Sequence, residues 1–173
     1  SSNYGIDRNG RVGLYVEEKN RSWCTSSNAN DQRAVTIECA SDKAEPYAMH
    51  QVVYDRLIDL CEDICRRNGK KKLLWFGDKN KSLNYQPKAD EMLITVHRWF
   101  ANKSCPGDWL YARRGDLAAK VTSRLGSGNV EVIPAGMQAG EFQGLTEEQV
   151  LAKIGPLFSA DQKKSWILAS VSM

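Results

Sequence analysis

No apolar run in these 173 residues approaches the roughly 20 that a helical membrane span requires, so no membrane partner is expected. A dominant charge is lacking too. The 24 Lys and Arg residues face 21 Asp and Glu residues, and a net charge of +3 does not argue for a nucleic-acid partner. Histidine is scarce: His50 and His97 are the only two. Cys24, Cys39, Cys61, Cys65 and Cys105 form an odd set without regular spacing. That argues against a disulfide framework and predicts reduced, mostly buried thiols. Ser1 to Gly5 have neither a basic start nor an apolar core, so no signal peptide is expected there. No internal repeat is present. Hydrophobic residues at 42% and charged residues at 26% make an ordinary globular balance, which excludes wholesale disorder.

What is present reads as strands interspersed with helices. Asp7-Arg8-Asn9-Gly10 lies between two apolar runs, and Asn-Gly tolerates positive φ, so a hairpin is predicted with strands near 3–7 and 11–16. Ala34 to Ala40 is β-branched and alternating. It predicts a third strand with Val35, Ile37 and Cys39 on one face and Thr36 and Glu38 on the other. Pro46 is read as opening a helix striped by Val53, Leu57, Leu60 and Ile64, and Asn68-Gly69 as ending it. Cys61 and Cys65 flank that stripe and read as core. Lys70, Lys71 and Lys72 read as a solvated turn, where the helix dipole favours cations. Leu73 to Phe76 and Met92 to His97 read as short buried strands. Asp108 to Leu125 reads as a helix with Leu110, Leu117, Val121 and Leu125 on one side, stopped by Gly126. The expected fold is α/β, a mixed central β-sheet flanked by helices.

Composition changes at Gly126. Five glycines and Pro134 between there and Gly144 read as a linker. Thr146 to Gln149 and Ser159 to Gln162 match the capping-box pattern, so two helices are predicted to start there. Trp166, Ile167, Leu168, Val171 and Met173 read as an apolar helical stripe. The expected organisation is one domain over 1–125, a linker over 126–144, and a short helical C-terminal extension over 145–173, the truncated start of a second domain.

The chemistry centres on His97, at a strand end, and Cys105, in a loop before Pro106 and Gly107. Imidazole and thiolate are both good zinc ligands, and a strand end plus a loop can converge them. Taken singly, each has a plainer role as a structural histidine or a small buried thiol. The longer segment decides. Thr95 to Asp108, with His97, Lys103, Cys105, Pro106 and Gly107, resembles the C-terminal motif of zinc-dependent N-acetylmuramoyl-L-alanine amidases. These share a peptidoglycan-recognition-protein-like fold. The hairpin from Asn3 to Gly10 and the pair Ser22-Trp23 resemble the strand–turn–strand and following loop of that family, so the resemblance covers residues 1–125.

The resemblance implies that His97 and Cys105 bind Zn2+, that Lys103 assists catalysis, and that Glu38 occupies the place of a catalytic glutamate. Zinc would polarise the amide carbonyl and bring the pKa of its water towards about 7. Glu38 would carry that water's proton to the leaving amine. Lys103 would set a cation beside the developing oxyanion. The family's first zinc histidine, on a strand upstream of the hairpin, has no counterpart here. His50 reads as a surface helix residue and Cys24 as packing, so an incomplete zinc site is expected. Trp99 and Trp109 are expected to line a sugar-binding groove, with Trp75 in the core.

Gly144 to Met173 resembles the beginning of an endolysin-type glucosaminidase domain, which implies a phage or prophage lysin with two wall-cutting activities. The expected partner is peptidoglycan, as a muropeptide substrate, and a monomer is expected. The protein would be made in the cytoplasm and act at the bacterial cell wall. One alternative is a non-catalytic peptidoglycan-binding module of the same fold. Another is a cysteine hydrolase using Cys105 and His97; Pro106 and the lack of a helix N-terminus or elbow at the thiol argue against it.

Overall fold

Ala34–Ala40 forms a strand (β3) whose alternation is as the sequence predicts: Val35, Ile37 and Cys39 are fully buried on one face and Glu38 looks out from the other. The computed structural model describes residues 1–126 and the strand at 166–172. Around β3 lie the hairpin strands β1 (Tyr4–Ile6) and β2 (Val12–Leu14), then β4 (Lys72–Leu74), β5 (Glu91–Thr95) and β6 (Trp166–Ser172). They form one mixed sheet in the order β2-β1-β3-β6-β5-β4, in which β1 and β2 pair antiparallel and every other pairing is parallel. The α/β expectation holds.

Two long helices cover one face. In α2 (Gln51–Arg67), Val53, Leu57, Leu60 and Ile64 are buried, and α5 (Arg114–Gly126) adds Leu117 and Val121. They pack on Val35, Ile37, Cys39, Met92, Ile94 and Ile167 in one apolar core. Cys61 and Cys65 are part of that core, as expected, and all five cysteines are buried thiols rather than disulfides.

Several elements differ from the sequence reading. The hairpin turn uses a positive φ at Gly10 alone; the Asp7 carboxylate accepts from the amides of Asn9 and Arg11 and closes the turn instead. The Pro46 helix starts only at Gln51, because Tyr47 sits at φ +55, which is not helical. The long helix from Asp108 divides at Arg113 into α4 (Asp108–Ala112) and α5. Two short helices, α1 (Asn28–Arg33) and α3 (Lys79–Asn84), were not foreseen; each is N-capped by a side chain, Ser27 and Asp78. Lys70 is not solvated: it is 7% exposed and donates to the Ala89 carbonyl at 2.9 Å.

The largest correction concerns Trp166–Ser172. Expected as helix, it is a strand in the middle of the sheet, pairing β3 along seven residues and β5 along three. Short apolar runs do not separate helix from strand by periodicity, and backbone groups on β3 and β5 facing this slot need partners. The expected linker and the helix starts at Thr146 and Ser159 lie outside the described residues.

Candidate active site

Glu38 and His97 both lie towards the carboxyl edge of the parallel strands, where open α/β sheets gather their functional groups. Glu38 is two residues from the end of β3, on the face away from α2. Register aligns Thr36 with Leu168 and Leu168 with Thr95, and Glu38 with Ser170. It thus sets Thr95, the last residue of β5, level with Thr36 across one intervening strand, and Glu38 and His97 each follow two residues later in sequence. Two strand spacings put β3 and β5 about 10 Å apart. Cys24 closes in from the loop before α1, its thiol donating to Glu38 Oε1 at 3.9 Å.

A buried polar network holds this face. The Asn3 side chain accepts from the Thr36 amide at 3.0 Å and donates to the Val16 carbonyl at 3.0 Å, while its own amide donates to Thr36 Oγ1 at 2.9 Å. Ser22 bonds Thr36 through the hydroxyls at 2.6 Å. Thr25 donates through both its amide and its hydroxyl to the buried Asp31 carboxylate. Thr95 of β5 donates to Asn30 Oδ1 at 2.9 Å, which ties the histidine's strand to the same network.

After Val96 the chain enters a single 3-10 turn, His97–Trp99, rather than continuing the strand to the histidine. That turn doubles the chain back, and Arg98 pins the return. Its amide donates to the Cys105 carbonyl at 3.0 Å, and its guanidinium donates to Asp108 and the Ser104 carbonyl and lies 4.8 Å from the Tyr111 ring centre. Gly107 is required at the exit: its φ is +76, and a Cβ there would meet Tyr47 at 2.8 Å.

Electrostatics follow from burial and from Glu38, Lys103 and Asp31. Burial, then Lys103, holds the His97 imidazole below the usual histidine range, against the pull of Asp31 and Glu38. Burial, then Glu38, pushes the Cys105 thiol up, with Lys103 and Arg98 opposing. Burial, then Glu38 and Asp31, pushes the Cys24 thiol up to about 12. A nucleophilic cysteine is favoured by the opposite shift.

His97 Nε2 is buried and makes no hydrogen bond among the described residues, so its lone pair is open to a metal ion. Cys105, expected as a second metal ligand, is buried on the returning loop. Among the described residues no three His, Cys, Asp or Glu side chains converge to hold an ion. His50 is not a third donor: it is exposed at the start of α2 with its ring nitrogen 3.0 Å from Arg8.

The expected sugar-binding tryptophans turn inward. Trp99 is 7% exposed and stacks on Trp75 with ring centres 5.2 Å apart; Trp109 packs edge-on against Tyr54 beneath Arg113. Asn3, Asp31 and Arg98 were not singled out from the sequence. The Arg98–Asp108 spacing was visible there, but the fold back of the loop that makes it meaningful was not.

Residues 1–108 match the N-acetylmuramoyl-L-alanine amidase family. Comparison with curated proteins and with solved structures gives no significant match.

Proposed function

Since the chain belongs to the N-acetylmuramoyl-L-alanine amidase family, we propose that it cleaves the amide between N-acetylmuramic acid and L-alanine in peptidoglycan with zinc held by His97 and Cys105. The observation that carries this reading is the buried, unsatisfied His97 Nε2 at the strand edge that Glu38 also occupies. When bound, zinc would act as a Lewis acid towards the amide carbonyl and the attacking water.

The chain's own residues supply the proton and charge traffic. Glu38 takes the proton of the attacking water and returns it to the departing alanine nitrogen, a role that needs a carboxylate within one water of both. The Cys24 thiol beside it donates to one carboxylate oxygen and helps to orient the group. Lys103, exposed on the loop before Cys105, places a cation where the carbonyl oxygen gathers charge. Arg98 keeps the His97 and Cys105 ends of the loop together through its bonds to the Ser104 and Cys105 carbonyls and to Asp108.

We place this activity in a phage or prophage endolysin, made in the cytoplasm and released to the wall. The setting is suggested by the resemblance of Gly144 to Met173 to a glucosaminidase start, of which Trp166–Ser172 is built into the central sheet as β6. One observation favours a second reading, a peptidoglycan-binding module without catalysis: the described residues do not close a metal site by themselves.

Zinc content and release of L-alanine-terminated peptides from purified peptidoglycan separate the two. The expected result is cleavage by the zinc-loaded protein, with His97→Ala and Cys105→Ala each losing zinc and cleavage together. Cleavage that survives in either variant at full rate would overturn the zinc reading. Wall binding without cleavage in the zinc-loaded wild type would establish the binding module.

A further inference from the structure

Trp23 is 71% exposed, more than any other large hydrophobic side chain among the described residues. Its chain neighbours are the opposite. Ser22 and Thr25 are fully buried, and Cys24 is 9% exposed. Ser22 is bonded to Thr36 at 2.6 Å, and Thr25 to Asp31 at 2.6 Å through its hydroxyl. Drawing the indole inward would break these buried bonds, each of which leaves an unsatisfied group behind. The backbone on both sides of the exposed ring is therefore anchored by buried bonds. Arg21 braces the ring itself, with its guanidinium carbon 3.7 Å from the ring centre. The residue after Trp23 is Cys24, whose thiol touches Glu38. A flat apolar plate, with Arg21 on one face, is thus displayed by the same loop that carries Cys24 to Glu38.

We propose that Trp23, braced by Arg21, is a glycan subsite that stacks against the C–H face of a pyranose ring of the peptidoglycan strand. The assignment rests on the amidase reading of the adjoining site. The scissile bond joins a sugar's lactyl group to alanine, and both sides must be held for the amide to sit at Glu38. Alanine offers one methyl group, which cannot cover an indole. A pyranose ring presents several axial C–H groups in a plane of matching size, and its removal from water with the indole is favourable. Trp99 and Trp109 engage in packing, so among the described residues Trp23 is the indole with the most surface to give.

The test compares wild type, Trp23→Ala and Trp23→Phe as full chains, with two probes and one substrate. The probes are the peptide-free N-acetylglucosamine–N-acetylmuramic acid disaccharide and the sugar-free stem peptide. The substrate is the disaccharide-peptide. Trp23→Ala is expected to weaken disaccharide binding and to raise KM about tenfold, the loss of one stacking contact, with kcat changed less than KM. Trp23→Phe should recover most of both. Stem-peptide affinity should not move.

Disaccharide affinity and KM that stay within about twofold in Trp23→Ala would overturn the subsite. A loss confined to the stem peptide would overturn it as well, by making Trp23 a peptide contact. Wild type that binds the disaccharide through Trp23 but cuts nothing would leave the subsite standing and remove the amidase reading. Cleavage with no Trp23 dependence would do the reverse.

Discussion

On the α2 side of the sheet, Val35, Ile37 and Cys39 of β3 meet Leu57, Ile58 and Ile64; on the opposite side, Thr36 and Glu38 of the same strand meet Asn3, Ser22 and Cys24. The first contact is dry and non-directional. Its stabilisation scales with the apolar area removed from water, and many side chains of suitable volume would supply it. The second is built from buried donors and acceptors, each matched to one partner. Such bonds add little net stability apiece, but each deletion strands a polar group. The difference separates two jobs within one strand. The helix face keeps the sheet folded, and the polar face keeps Glu38, Cys24 and the His97 strand in fixed relation.

Glu38→Gln is the strongest test of that division. It keeps shape and loses the proton carrier, so turnover should fall about 10²- to 10⁴-fold while thermal stability stays close to wild type. That is roughly 3–5 kcal/mol of barrier with almost none of fold. A Tm loss as large as that of a core deletion would mean that Glu38 is a structural residue. Ile37→Ala, one position earlier on the other face, should do the reverse. Removing a fully buried isoleucine is expected to cost about 2–5 kcal/mol of stability in denaturant melts, with turnover per folded molecule unchanged. If turnover per folded molecule drops with it, the two faces are not separate.

The division was half legible in the sequence. Period-two alternation exposes the two faces of β3 directly, since nothing but a strand places Val35, Ile37 and Cys39 together and Glu38 apart. The His97-to-Cys105 spacing with Lys103, Pro106 and Gly107 exposes the loop chemistry for the same reason: it is local. What stayed hidden depends on partners far along the chain. Asn3 finds Thr36 across 33 residues, and Thr95 finds Asn30 across 65. Trp166–Ser172 carries an apolar pattern that suits helix or strand, and pairing with β3 and β5 decides it. Tryptophan identity does not say which indole faces water, so Trp99 is expected in a sugar-binding groove and Trp23 is read only as part of a family loop.

Asn3→Ala probes the polar face without touching the chemistry. It removes the acceptor for the Thr36 amide and the donor to the Val16 carbonyl, both in buried surroundings. The expected cost is about 1–3 kcal/mol, below that of Ile37→Ala. Unlike Ile37→Ala, it should also lower turnover per folded molecule, because the 16–25 loop that carries Cys24 to Glu38 loses its anchor. Unchanged turnover would show that Cys24 and Glu38 are positioned by something other than this network.

The smallest effect is a pH shift, and it reads the field at the site rather than its bonds. Burial first, then Lys103, keeps the His97 pKa below its ordinary value of 6.5. Metal binding needs the neutral ring. Neutral imidazole therefore persists into more acid solution, and the acid limb of activity should lie below the ordinary histidine value. Stability of the metal-free protein follows the same sign. The unfolded chain takes up the proton first, so the contribution from His97 is full above the ordinary value and is lost as pH falls from there towards the folded pKa. Lys103→Met removes one of the two influences that depress the ring. Its acid limb should move to higher pH, whatever happens to the height of the profile. A limb that stays in place, with zinc still bound, would show that the Lys103 ammonium does not act on His97 and that burial alone sets the ring's charge state.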